Sequence, residues 1–328
     1  MLNVIRRNSV IAAGLAASLL ATHGAAAADW RATTIPAPAV TEVVQESGGA
    51  LVAAGTTWRR FDPESFRLEP AAPPNRIAAP AGALPDARVT RGREIVREAW
   101  LSDPTKRYAH AVLGDAIEAG SLTIVRRDGS RAVLRLPQDA VFEDIEPRIA
   151  TVGGSERIVL VKAYLARGAA IAIIDPVSAS IVAETPAIGR AHAWRNPAGI
   201  ADYDGDGATD IAAVRQPHVL GRLELWSFID GKLRMTVDIP DVSNHIIGSR
   251  ALSLSTTADF DGDGRPDLAV PSFDRRALRL IAFAPSVREI ARIALPAAVS
   301  TDFALIRIEG RPAVLIGLDD GRLVLVNR

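Results

Sequence analysis

Short alternations of side chains recur along the chain at Leu122-Thr-Ile124, Ile171-Ala-Ile173, Leu223-Glu-Leu225, Leu278-Arg-Leu280 and Leu323-Val-Leu325. A period of two puts every second side chain on one face, which predicts strands with one buried side. Short apolar segments precede them at Ala111–Leu113, Ile158–Val161, Ile211–Val214, Leu268–Val270 and Ala313–Ile316. Each unit then has a last strand that stops at a proline: Phe66–Pro70, Leu134–Pro137, Ile181–Pro186, Met235–Pro240 and Ile293–Pro296. Proline has no N–H for a central ladder and is tolerated at an edge, so these segments read as outer strands.

The final unit runs to Leu323–Val326 and stops at Arg328 without a fourth strand. Trp30–Pro36 has the form of such a proline-ended strand. Pairing the two would hide two sheet edges and tie down both ends of the domain. Fourth strands ending at Pro36, Pro70, Pro137, Pro186, Pro240 and Pro296 then count six units. Repeats of roughly 50 residues suit four-stranded blades arranged radially. The pattern therefore predicts an all-β propeller of about six blades, closed by the N-terminal strand. Seven blades would require splitting the long second unit. Part of its length is Ala71–Pro85, whose prolines disfavour both helix and central strand. Regular spacing across the whole region favours this over a β-sandwich or two small β domains.

The first residues differ in kind. Arg6 and Arg7 precede an apolar run, Ser9–Ala21, and four alanines end at Ala28. A positive start, a short apolar middle and small residues before the cut describe a secretory signal, with cleavage expected after Ala28. The apolar run is too short to span a bilayer, which takes about 20 residues. Residues 1–28 are thus expected to be removed, leaving 29–328 as the propeller in the periplasm or outside the cell. Twin-arginine export is only half supported, because Ser9 and Val10 follow Asn8 where that signal has an apolar pair.

The chain has no cysteine, which closes lipid anchoring through cysteine as well as disulfide bonding. Basic and acidic residues balance at 38 each, so no basic surface for nucleic acid or an anionic membrane is expected.

Candidate chemistry is concentrated in two nine-residue loops. Asp202-Tyr-Asp-Gly-Asp-Gly-Ala-Thr-Asp210 returns 57 residues later as Asp259-Phe-Asp-Gly-Asp-Gly-Arg-Pro-Asp267. Asp202, Asp204, Asp206 and Asp210 share their spacing with Asp259, Asp261, Asp263 and Asp267. Carboxylates crowded this way repel one another unless a cation lies between them. Ca²⁺ takes six to eight oxygens in flexible geometry, and Mg²⁺ is less suited because it demands an octahedron. Loop position seven, Ala208 or Arg265, varies freely in side chain, as expected of a main-chain carbonyl ligand. Gly207 and Gly264 permit the sharp turn. Tyr203 and Phe260 should point away into apolar packing. An EF-hand is excluded: position twelve is Ala213 or Val270 rather than glutamate, and strands follow the loops.

The motif with its following strand resembles the FG-GAP or VCBS-type repeat found in the integrin α-subunit propeller and in many secreted bacterial proteins. That resemblance covers Asp202–Val214 and Asp259–Val270 and implies Ca²⁺ in a loop joining two strands of a blade. The Phe-Gly and Gly-Ala-Pro ends of the family pattern are not recognisable here, and the other four units lack the acidic loop. Two calcium sites are therefore expected.

No catalytic set is evident. His110, His192, His218 and His245 show no metal-ligand spacing, and no nucleophile elbow or phosphate-cradling loop occurs. A His–carboxylate pair within hydrogen-bond reach at the channel mouth is expected to be absent. Trp58, Trp100, Trp194 and Trp226 are expected to pack blades rather than form a sugar platform. The sequence points to a non-enzymatic calcium-binding scaffold for a protein or glycan ligand. The alternative is an exported propeller enzyme acting on polysaccharide or another envelope substrate.

Overall fold

A computed structural model describes residues 30–328, so the expected signal peptide lies outside the described residues. The described chain is built of strands, turns and irregular segments. Among the described residues, no helix is long and apolar enough to cross a membrane.

The strands group into six blades. After β1 (Arg31–Ile35), blade 1 comprises β2 (Val40–Glu46), β3 (Gly49–Ala54), β4 (Thr57–Asp62) and β5 (Arg67–Ala71). Blade 2 contains β6 (Val96–Thr105), β7 (Glu118–Arg126) and β8 (Arg131–Arg135). Its innermost layer is irregular: Ala83 and Thr90 make isolated bridges to Ser102 and Ala99. A short strand, β9 (Ala140–Phe142), then joins blade 2 to blade 3, pairing with β7 on one side and with blade 3 on the other. Blade 3 consists of β10 (Arg148–Val152), β11 (Ser155–Tyr164), β12 (Gly168–Asp175) and β13 (Ser180–Glu184). Blade 4 is β14 (Arg195–Ala201), β15 (Asp210–Arg215), β16 (Arg222–Ile229) and β17 (Lys232–Ile239). Blade 5 is β18 (Thr256–Ala258), β19 (Asp267–Pro271), β20 (Ala277–Ala282) and β21 (Arg288–Ala294). Blade 6 is β22 (Ala304–Ile308), β23 (Arg311–Gly317) and β24 (Leu323–Asn327), and its fourth strand is β1. The closing pair is antiparallel from Arg31↔Asn327 to Ile35↔Leu323, as the unfinished last unit predicts.

Period-two side chains explain how blades stack. Leu223 and Leu225 enter an apolar cluster with Leu268 and Val270 of blade 5. Trp226, on the opposite face of the same strand, packs with Ile171 and Ile173 of blade 3. Among the described residues, five such clusters join blades 2–3, 3–4, 4–5, 5–6 and 6–1. Among the described residues no cluster joins blades 1 and 2. Near that junction Arg76 contacts Glu42, and a cavity of about 1020 Å³ opens on the ring axis.

One predicted strand is corrected. Ala111–Leu113 lies in the turn between β6 and β7, with Ala111 at φ 56°, and the second strand of that unit is β6. Its apolar side chains serve packing without a ladder: Val112 and Leu113 join the cluster between blades 3 and 4.

Candidate metal centres and comparison with known proteins

The first acidic loop joins β14 to β15 and the second joins β18 to β19, the first two strands of adjacent blades. Each is closed at its base by the ladder, Ala201↔Asp210 and Ala258↔Asp267. Within each loop, backbone N–H groups donate to the aspartates in the same pattern. Gly205 N and Gly207 N donate to the two oxygens of Asp202, at 2.8 and 3.0 Å. Gly262 N and Gly264 N do the same to Asp259, at 2.7 and 2.9 Å. Asp206 N donates to Asp204 Oδ1 and Ala208 N to Asp206 Oδ1, at 3.2 and 2.7 Å. Their counterparts are Asp263 N to Asp261 Oδ1 at 3.0 Å and Arg265 N to Asp263 Oδ1 at 2.9 Å. Gly207 at φ 86° and Gly264 at φ 85° sit where a side chain would strain the turn.

This folding gathers negative oxygen. Asp202, Asp204 and Asp206 each bring a ligand atom within 4.8 Å of the others, and so do Asp259, Asp261 and Asp267. Asp263 is exposed and holds its own loop turn. Asp210 starts β15, fully buried, where its oxygens accept from Tyr203 N and Ser227 Oγ. Burial pushes the Asp210 carboxyl above its ordinary range, against those two hydrogen bonds. Burial, with Asp206 and Asp202 beside it, also raises Asp204. Asp267 is pushed up to about 7, first by burial and further by Asp261 and Asp263. The guanidinium of Arg288 contacts Asp261 and supplies one fixed positive charge to the second loop. A carboxylate oxygen that accepts one N–H retains a lone pair for a cation. The donor set, all oxygen and all carboxylate, fits a hard divalent ion.

Tyr203 and Phe260 point inward as predicted, 0% and 2% exposed. Trp100, Trp194 and Trp226 are buried as well, whereas Trp58 is half-buried.

Residues 202–270 match the FG-GAP-like repeat. This stretch of the chain is an FG-GAP-like repeat region. It begins at the first aspartate of one loop and ends in β19 after the other, so both candidate centres lie within it. Outside the FG-GAP-like region the blades repeat the strand pattern without the acidic loop. No curated protein matches the chain. Among solved structures the chain is similar to BamB from Moraxella catarrhalis, 11% identical over 87% of this chain and 71% of that one, with a TM-score of 0.39. An auxiliary nutrient binding protein from Bacteroides thetaiotaomicron is 9% identical over 92% of this chain and 73% of that one, with a TM-score of 0.42. A chain of the mitotic checkpoint complex is 10% identical, covering 100% and 99%, with a TM-score of 0.46.

Two polar assemblies away from the acidic loops escaped the sequence reading. On the ring axis, Arg88 bonds Glu146 at 2.9 Å and lies 3.9 Å from Asp302. Arg250 bonds Asp86 at 2.8 Å and Asp115 at 2.9 Å. Together they cross-link blades 2, 3, 5 and 6 where the cavity opens. The second assembly lies at the ends of the blades opposite the acidic loops, since the β15–β16 turn and the connection after β17 share that end. His110 Nδ1 contacts Glu143 Oε1, and His218 Nε2 lies 2.9 Å from His245 Nδ1. His110 and Glu143 stand 33 residues apart, and the fold alone brings this His–carboxylate pair together; the expectation of no such pair concerned the channel mouth. His245 Nε2 faces the Ser249 carbonyl at 3.0 Å and so carries the proton, which leaves Nδ1 to accept from His218. Burial pushes His245 down to about 3 and His218 to about 4, so both stay neutral through the physiological range. His110 and Glu143 are not among the residues lining the axial cavity.

Proposed function

We propose that this protein is an exported, calcium-stabilised propeller that acts as a non-enzymatic binding scaffold for a protein or glycan. The observation that carries the calcium reading is the duplication of one hydrogen-bonded acidic loop at equivalent places in blades 4 and 5. One ion is assigned to Asp202, Asp204, Asp206 and Asp210 with the Ala208 carbonyl. The other is assigned to Asp259, Asp261, Asp263 and Asp267 with the Arg265 carbonyl. Calcium supplies the charge that lets these carboxylates stay ionised side by side. A saturated carboxylate is a poor proton carrier, so the role of the loops is structural. The axial cavity of about 1020 Å³, lined by β2 and by the connections leading into blades 2, 3, 5 and 6, supports recognition as the task. The leader at residues 1–28 supports a periplasmic or extracellular place for residues 29–328, where calcium is plentiful.

Thermal melting with calcium and with chelator tests this reading. A ligand that binds only the folded state stabilises it by mass action, by about 2.7 kcal/mol at a hundredfold excess over its dissociation constant, and so raises the melting temperature. Calcium is expected to raise the melting temperature, and Asp204→Ala combined with Asp261→Ala to remove that gain. A wild-type curve indifferent to chelator contradicts the proposal.

The His110–Glu143 pair favours a second reading, an exported enzyme acting on polysaccharide or another envelope substrate. Cleavage by the wild type and not by His110→Ala would establish it.

A further inference from the structure

The two acidic loops are physically connected to each other and to the strand that closes the ring. The residue after the first ligand in each loop makes the connection. Tyr203 is wholly buried, and its hydroxyl lies 2.6 Å from Thr257 Oγ1 in β18, two residues before Asp259. Its backbone N–H donates to Asp210, so one residue touches the first loop at its base and the second loop at its entry. Gly199 makes this contact sterically possible. A Cβ there would stand 2.0 Å from the Tyr203 hydroxyl and 2.6 Å from Thr257 Oγ1.

The second loop continues the chain of contacts outward. Phe260 occupies the same loop position but has no hydroxyl, and its ring meets Trp30 edge-on at 5.8 Å between centroids. Trp30 directly precedes β1, the strand that completes blade 6. Its indole N–H is buried without a hydrogen-bond partner among the described residues, and the ring packs against Phe260. A pocket of about 240 Å³ lies at this contact, with Asp259, Phe260 and Gly262 on one side and Trp30, Arg311 and Arg328 on the other. Arg328 follows β24, so both partners in the closing pair border the second loop.

From this geometry we propose a relay, resting on the calcium reading above, in which cation occupancy of the acidic loops controls closure of the ring. A filled first loop fixes Tyr203 and, through Thr257, the entry of the second. A filled second loop fixes Phe260 as a wall for Trp30 and holds β1 against β24. Ordering that one ion has already supplied need not be supplied by the next, which gives positive coupling between sites.

Amide exchange measured by mass spectrometry on the intact protein, with calcium or with chelator, tests the relay. Calcium is expected to slow exchange in residues 31–35 and 323–327 about tenfold in the wild type. Trp30→Ala, which leaves both acidic loops intact, should still take up two calcium ions by calorimetry while losing that protection. Tyr203→Phe removes only the hydroxyl. Disabling the first loop by Asp204→Ala should weaken calcium binding at the second several-fold in the wild type but not in Tyr203→Phe. Two bound ions with unchanged exchange in β1 and β24 overturn the relay and leave the calcium sites standing. Calorimetry without any calcium uptake removes both.

Discussion

At the residue scale, the acidic clusters were legible because their chemistry is local. Asp202, Asp204 and Asp206 lie within five residues, so spacing alone shows carboxylates forced together. Nothing comparable signals Glu118. It begins β7 opposite Thr105, is 2% exposed, and lies near Glu143 and Asp86 only because the fold brings them there, with Asp115 its neighbour along the chain. Burial, followed by those neighbouring carboxylates, pushes Glu118 up to about 9. The sign of its linkage follows. Between its ordinary value and about 9 the unfolded chain has released this proton and the folded chain still holds it, so stability falls as pH rises through that window. Glu118→Gln keeps the shape and removes the titration. Melting of the variant is expected to match wild type at pH near 4 and to exceed it at pH near 8. A lower melting temperature at both would show the carboxyl to be a needed partner.

At the element scale, the alternating segments all became strands, and the prolines marked outer strands, because both signals act within one strand. Ala111–Leu113 was misread for a related reason. Three apolar residues can be buried as a turn as well as a strand, and the cluster between blades 3 and 4 takes Val112 and Leu113 without any pairing. The irregular inner layer of blade 2 was likewise hidden, since Ala83 and Thr90 pair with β6 only at single bridges. In blade 4, β14 bulges between Pro197 and Gly199, and the missing side chain at Gly199 admits the Tyr203 hydroxyl. Gly199→Ala should therefore overpack the site and cost about 1–3 kcal/mol in denaturant unfolding. An unchanged midpoint would mean that Tyr203 and Thr257 can separate freely.

For the whole molecule, six blades and their closure were readable because a missing last strand and an extra first strand complement each other. The unequal joints of the ring were not readable. Apolar clusters seal five junctions, whereas blades 1 and 2 meet beside the axial cavity, with Arg88 and Arg250 tying blades 2, 3, 5 and 6 across it. Ion pairs between residues as far apart as Asp86 and Arg250 leave no local trace in a sequence. The calcium proposed for the acidic loops would stiffen blades 4 and 5 of a ring assembled this way, which is the central claim. Calorimetric titration of chelator-stripped protein with calcium tests it most directly. The account predicts two ions bound per chain, one with Asp204→Ala or Asp261→Ala, and none with both. Binding of two ions that survives the double substitution, or no binding to the wild type, contradicts it.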